Sequence, residues 1–131
     1  MKVVFDTNIL VSALVFPEGS AETALERVIE SRDTLVISTA IIGELLEVLA
    51  RKFARDAEEL AHLAVFLQGL GQVVETRRKV TVLADEPDNR ILECAVAGGA
   101  DLIVTGDRAM LKLRCFEVVR ILSLRAYLDR D

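Results

Sequence analysis

Four acidic residues in widely separated parts of this chain, Asp6, Glu44, Asp88 and Asp107, have the type and placement to act together. Carboxylates are oxygen-only ligands, and oxygen ligands suit hard divalent cations such as Mg²⁺ or Mn²⁺, which keep several waters and bind substrate phosphates. Crowded without a counter-charge, carboxylates raise one another's pKa and destabilise the fold; a divalent cation removes that penalty. The single histidine, His62, and the two cysteines, Cys94 and Cys115, show no metal-ligand spacing, so a zinc or non-haem iron site is not indicated. Both cysteines lie in apolar sequence and are expected to be buried and reduced. No Ser/His/Asp or Cys/His set offers a protein nucleophile.

The elements that must position these acids follow from the apolar pattern. Residues 2–5 are a short apolar run stopped by Asp6 and read as a buried strand. Residues 8–14 carry apolar side chains toward a loop marked by Pro17 and Gly19. Ser20 fits an N-cap for a helix over 21–31, with Ala21, Ala24, Leu25, Val28 and Ile29 on one face. A strand at 35–38 follows. Thr39 then caps a helix over 40–53 with the stripe Ile41, Leu45, Val48, Leu49 and Phe53. A helix over 56–69 turns Leu60, Leu63, Ala64 and Leu67 inward, and 72–75 is a short strand. The turn Asp85-Glu86-Pro87-Asp88 leads into a helix over 88–98, ended by Gly98-Gly99. Residues 102–105 are a strand, Gly106-Asp107 opens a short helix through Leu113, 117–120 is a last strand, and Ser123 caps a terminal helix. This alternation is that of an α/β fold with a central, mostly parallel sheet of about five strands. The length of 131 residues and 52% apolar composition, without linker or repeat, suit one domain over 1–131.

In such sheets the ligand crevice lies beyond the carboxyl ends of the strands. Asp6 and Asp107 follow strand ends, Asp88 starts a helix, and Glu44 shares the inward side of its helix with Ile41 and Val48. Asn8 and Thr105 are placed to hydrogen-bond the carboxylates and orient them. Each residue also has a local reading. Asp6 can end a strand in a turn, Glu44 can be solvated like Glu47, Asp88 and Asp107 can be N-caps, and Asn8 and Thr105 can make turn bonds. Asp85, Glu86, Glu93 and Asp101 read as ordinary loop or surface acids.

The charge balance, 16 Lys and Arg against 21 Asp and Glu, gives −5, which alone argues against nucleic-acid binding. Bound divalent cations would cancel most of it. Two local basic clusters, Arg51-Lys52-Arg55 and Arg77-Arg78-Lys79, either hold phosphates or are simply solvated. Five Phe and one Tyr give no aromatic stacking platform. The first residues lack a signal-peptide pattern and no apolar run reaches spanning length, so a soluble cytoplasmic protein with no membrane contact is expected. The apolar load and two successive amphipathic helices suggest a homodimer or higher homo-oligomer.

The segments VVFDTNILVSALV, IIGELLEVL and DEPDNRILECAVAGGADLIVTGD together resemble the PIN-domain nucleases, most closely the toxins of toxin–antitoxin pairs. The resemblance runs from Met1 to about Ser123. It implies an α/β/α sandwich of the PIN-like type and a Mg²⁺- or Mn²⁺-dependent endoribonuclease. The metal-binding and catalytic acids would be Asp6, Glu44, Asp88 and Asp107, supported by Asn8 and Thr105, with RNA as substrate and a cognate antitoxin as a partner. The implied reaction is hydrolysis of a phosphodiester by a metal-activated water. Whether one ion or two takes part, and which group receives the water's proton, stays open. The alternative is a non-catalytic PIN-like scaffold that binds RNA or protein. A dehalogenase-type phosphatase would need an acid where Asn8 stands, and a receiver domain would need an acceptor Asp after the 72–75 strand.

Overall fold

A computed structural model of the chain describes residues 1–130. Among them six strands form one sheet: β1 (Lys2–Phe5), β2 (Thr34–Ser38), β3 (Gln72–Val74), β4 (Leu102–Val104), β5 (Cys115–Phe116) and β6 (Val119–Leu122), in the order β3-β2-β1-β4-β6-β5. All neighbours run parallel except β5 against β6. The apolar runs of β1, β2 and β4 are buried through almost their whole length, because helices cover both faces of a parallel sheet. The sheet has one strand more than the sequence suggests. The sixth is the two-residue β5, which turns back onto β6 through Glu117 at φ 54°. A non-glycine residue in this left-handed region gives no turn signal, so the expected strand at 117–120 resolves into a hairpin with β6 shifted two residues on. Cys115 lies exposed on this edge strand, contrary to expectation, whereas Cys94 is buried and free.

The helices are α1 (Thr7–Val15), α2 (Ser20–Ile29), α3 (Thr39–Phe53), α4 (Ala57–Leu70), α5 (Glu86–Ala97), α6 (Arg108–Leu113) and α7 (Leu124–Leu128). The 8–14 segment is helix α1, entered directly from β1. Its N-cap is Asp6, whose carboxylate accepts the Asn8 N–H. Two expected caps move by one position. Gly19, not Ser20, precedes α2 and makes no side-chain cap, and Ser38, not Thr39, caps α3 by accepting the Ile41 N–H at 3.1 Å. Ile29 is half-exposed rather than part of the buried face of α2. The α5 helix starts two residues early, at Glu86, with Pro87 in its first turn, where a missing N–H costs nothing. Ser123 caps α7 as expected.

The long connection 75–85 is fastened to α5. The Val80 N–H donates to Glu93 at 2.8 Å, Arg90 pairs with Glu93 at 2.9 Å, and the Asn89 amide takes both the N–H and the C=O of Leu83 at 2.9 and 2.8 Å. Glu93 is therefore a buried clamp and not the surface acid its sequence context suggests. At the amino end of the sheet Arg27 donates to the last carbonyls of α7, Tyr127 and Leu128, at 3.0 and 2.6 Å and lies over the Tyr127 ring. Among the described residues no helix is long and apolar enough to cross a membrane.

Candidate active site

The register of the sheet sets Asp6 beside Thr105. Phe5 pairs with Val104, the Asp6 N–H continues the ladder to the Val104 carbonyl at 2.9 Å, and the Thr105 N–H donates to Leu122 at 3.0 Å. Asp6 is 5% exposed, and Thr105 is fully buried. The Thr105 hydroxyl donates to Asp6 Oδ2 at 2.6 Å and accepts the Asp107 N–H at 3.0 Å. Asp107 in turn caps α6, its Oδ2 accepting the Met110 N–H at 2.9 Å. One buried hydroxyl thus joins two of the four sequence-predicted acids. Asn8 reaches Asp6 Oδ1 through its backbone N–H at 3.2 Å, while its side chain is exposed at the cavity.

A cavity of about 340 Å³ opens here. Asp6 and Asn8 line it from the end of β1, Glu44, Glu47, Val48 and Arg51 from α3, and Asp85, Pro87 and Asp88 from the start of α5. Glu44 is half-buried and Asp88 is 9% exposed. Burial pushes the Asp88 carboxyl up to about 7, and Asp107, Asp6, Asp85 and Glu44 all add to the rise. Asp6 is also raised, first by burial, against the opposing bonds from Thr105 and Asn8, and then by the charges of Asp107 and Asp85. All four sequence-predicted acids therefore share one electrostatic neighbourhood. Asp107 is not among the residues that line the cavity and joins the group through Thr105.

Asp85, which reads from sequence as an ordinary loop acid, belongs to this group. Its only signal was its place three residues before Asp88, ahead of a Pro-initiated helix. Among the described residues, no three His, Cys, Asp or Glu side chains converge as they stand into one metal-ligand group. The donor chemistry nevertheless fits a hard cation. The lining is rich in carboxylate oxygen, has neither thiolate nor imidazole, and raises Asp88 first by burial and then by the charges of its acidic neighbours. The basic clusters separate. Arg51 lines the cavity, Arg55 pairs with Glu59 on α4, and Arg77 and Arg78 border a different cavity against Val96 and Ala97, at the far end of α5 from Asp88.

A family model described as PIN domain matches residues 2–109, a span that contains all four acids. The uncharacterized protein MJ1680 of Methanocaldococcus jannaschii is 27% identical over 118 residues, which cover 87% of this chain and 76% of that protein. In fold the chain is similar to VapBC2 from Rickettsia felis, solved bound to a DNA fragment from their promoter, at TM-score 0.68 and 18% identity over 94% of this chain and 98% of that one. It is likewise similar to VapBC-1 from nontypeable Haemophilus influenzae, at TM-score 0.64 and 14% identity over 95% and 99%. FitAcB from Neisseria gonorrhoeae follows at 0.62 and 15% over 94% and 98%. These identities speak for the fold, a mostly parallel α/β sheet; the family is carried by the motif-bearing span 2–109, and on that match the chain belongs to the PIN-domain family, whose members are generally nucleases.

Proposed function

We propose that the chain is a Mg²⁺- or Mn²⁺-dependent endoribonuclease in which Asp6, Glu44, Asp88 and Asp107 hold the metal. The observation that supports this most is the one cavity lined by Asp6 from the end of β1, Glu44 from α3 and Asp88 from the start of α5, with Asp107 tied to Asp6 through the Thr105 hydroxyl; burial first, and then the charges of the other acids, pushes Asp88 up to about 7. Like charges drawn together at this cost to the fold suit a site built for cations. When bound, a divalent cation lowers the pKa of water and neutralises charge on the phosphoryl oxygens. The chain's own residues supply the rest. The Thr105 hydroxyl fixes Asp6 Oδ2, and the Asp107 N–H fixes that hydroxyl. Glu44 on α3 and Asp88 on α5 both line the cavity. The toxin-like sequence motifs also support a cognate antitoxin as partner, and the apolar load with the successive helices α3 and α4 supports self-association of the chain.

The test is cleavage of a labelled single-stranded RNA by purified protein in Mn²⁺, Mg²⁺ or EDTA, with Asp6→Asn in parallel. Cleavage is expected with either ion, and none in EDTA or from the variant. Cleavage in EDTA, or undiminished cleavage by Asp6→Asn, overturns the proposal.

A further inference from the structure

Among the described residues the lining of the acidic cavity carries one cation, Arg51. It lies on α3 seven positions after Glu44, which returns it to nearly the same face about 10 Å further along the helix axis. Glu47, between them, pairs with the Arg51 Nε at 3.7 Å. Both side chains are well exposed, 61% and 70%, so the pair is weak and exchanges readily with water or another anion. A phosphodiester entering this cavity meets Glu44, Asp85 and Asp88 as like charges, and meets an opposite charge from the lining only at Arg51. A guanidinium matches a phosphate with two parallel N–H donors.

We propose that Arg51 binds a backbone phosphate of the RNA neighbouring the one that is cut, and that this phosphate displaces the loose pairing of the guanidinium with Glu47. The inference rests on the ribonuclease reading for the identity of the substrate. The offset of about 10 Å from Glu44 along α3 places the contact beside the carboxylates, not among them. A contact to the backbone positions the strand without reading bases. The enzyme then needs RNA that extends past the cleaved bond on the Arg51 side.

The experiment has two arms. Steady-state cleavage of short single-stranded RNA in Mn²⁺ compares wild type, Arg51→Gln, Arg51→Lys and Arg32→Gln, the last an exposed arginine at the amino end of the sheet. Binding of the same RNA is then followed against salt in an Asp6→Asn background. Arg51→Gln should raise KM about tenfold, the loss of about 1.4 kcal/mol of binding, with kcat nearly unchanged. It should also lower the slope of log Kd against log salt by about 0.7, one phosphate on a single strand. Arg51→Lys should keep the slope, and Arg32→Gln should match wild type in both arms. Equal effects from Arg51→Gln and Arg32→Gln overturn the proposal, as does an unchanged slope or a fall in kcat at unchanged KM. If no RNA is cleaved by any protein, the nuclease reading fails, and the slope difference still decides whether Arg51 holds a phosphate.

Discussion

Asp6 and Asp33 are acids at opposite ends of the same sheet, one just after β1 and the other just before β2. Asp33 receives the Tyr127 hydroxyl at 2.6 Å and the Met1 ammonium at 3.1 Å. Burial by itself would raise its pKa, but these donors outweigh it and hold the carboxyl below the usual range. Asp6 also has donors, Thr105 and the Asn8 N–H, yet burial together with the charges of Asp107 and Asp85 leaves it raised. At the amino end an acid is matched by donors and cations; at the carboxyl end the donors do not offset burial and the added charge of neighbouring acids. The first arrangement stabilises the fold. The second costs stability, and its persistence beside an open cavity marks it for ligand chemistry.

The widest separation between the two ends should appear in activity. Asp88→Asn and Asp107→Asn should each abolish RNA cleavage, as Asp6→Asn should, with cooperative thermal unfolding retained. Asn keeps the shape and can still cap a helix, but lacks the charge that holds a cation. Relief of repulsion around Asp88 should leave the metal-free unfolding temperature unchanged or slightly higher. Loss of the folded transition would show that these carboxylates hold the fold together and are not kept for a cation. Cation binding should next appear in stability. Mn²⁺ at a hundredfold excess over its Kd should stabilise wild type by about 2.7 kcal/mol, and Asp88→Asn should lose most of this. Equal melting in EDTA and in millimolar Mn²⁺, in protein shown to be metal-free, would remove the distinction between the two ends.

Asp33 should behave in the opposite way. Asp33→Ala leaves the buried Tyr127 hydroxyl without its acceptor and should cost about 1–3 kcal/mol in urea unfolding, with RNA cleavage retained. The pH dependence has a definite sign. A carboxyl whose folded pKa is depressed contributes stability that is complete above its unfolded pKa and is lost as pH falls through the folded value. The stability difference between wild type and Asp33→Asn should therefore be constant near neutrality and shrink below about pH 4. A difference that grows on acidification would mean that the Tyr127 and Met1 contacts do not control this carboxyl.

The α/β alternation was legible because β1, β2 and β4 are continuous apolar runs, and Asp6 and Asp107 were legible because each directly follows such a run. Helix α1 was harder to read. Its residues Ile9, Leu10, Val11 and Ala13 are all buried, and only Asn8 and Ser12, four apart, mark a polar side, which is too little in nine residues to reveal a period. The roles of Asp85 and Glu93 depend on the path of the 75–85 connection, which is fixed by Asn89 with Leu83 and Glu93 with Val80. Those clamps are tertiary contacts that no local pattern announces. Arg90, with Glu86 four before it and Glu93 three after it on α5, offers two helical partners, and nothing local tells that Glu93 is the buried one. The same path carries Arg77 and Arg78 to the far end of α5, so sequence could not tell which basic cluster faced the acids.

The smallest expected effect lies on α3, where Glu44 and Glu47 both line the cavity three residues apart. Glu44 is half-buried and contributes to the rise of Asp88, whereas Glu47 is 70% exposed and faces Arg51. Glu44→Gln should therefore abolish cleavage like the aspartate variants. Glu47→Gln removes only an exposed ion pair, worth about 0.2–1 kcal/mol. If Glu47 competes with a phosphate for Arg51, its loss should strengthen RNA binding, lowering KM by up to about fivefold with kcat unchanged. A solvated Glu47 with no link to substrate would leave both constants alone. A collapse of kcat as deep as that of Glu44→Gln would place Glu47 among the metal-holding carboxylates. Steady-state kinetics on the two single variants separates these three results, and only the first keeps Arg51 as a phosphate contact that Glu47 occupies between substrates.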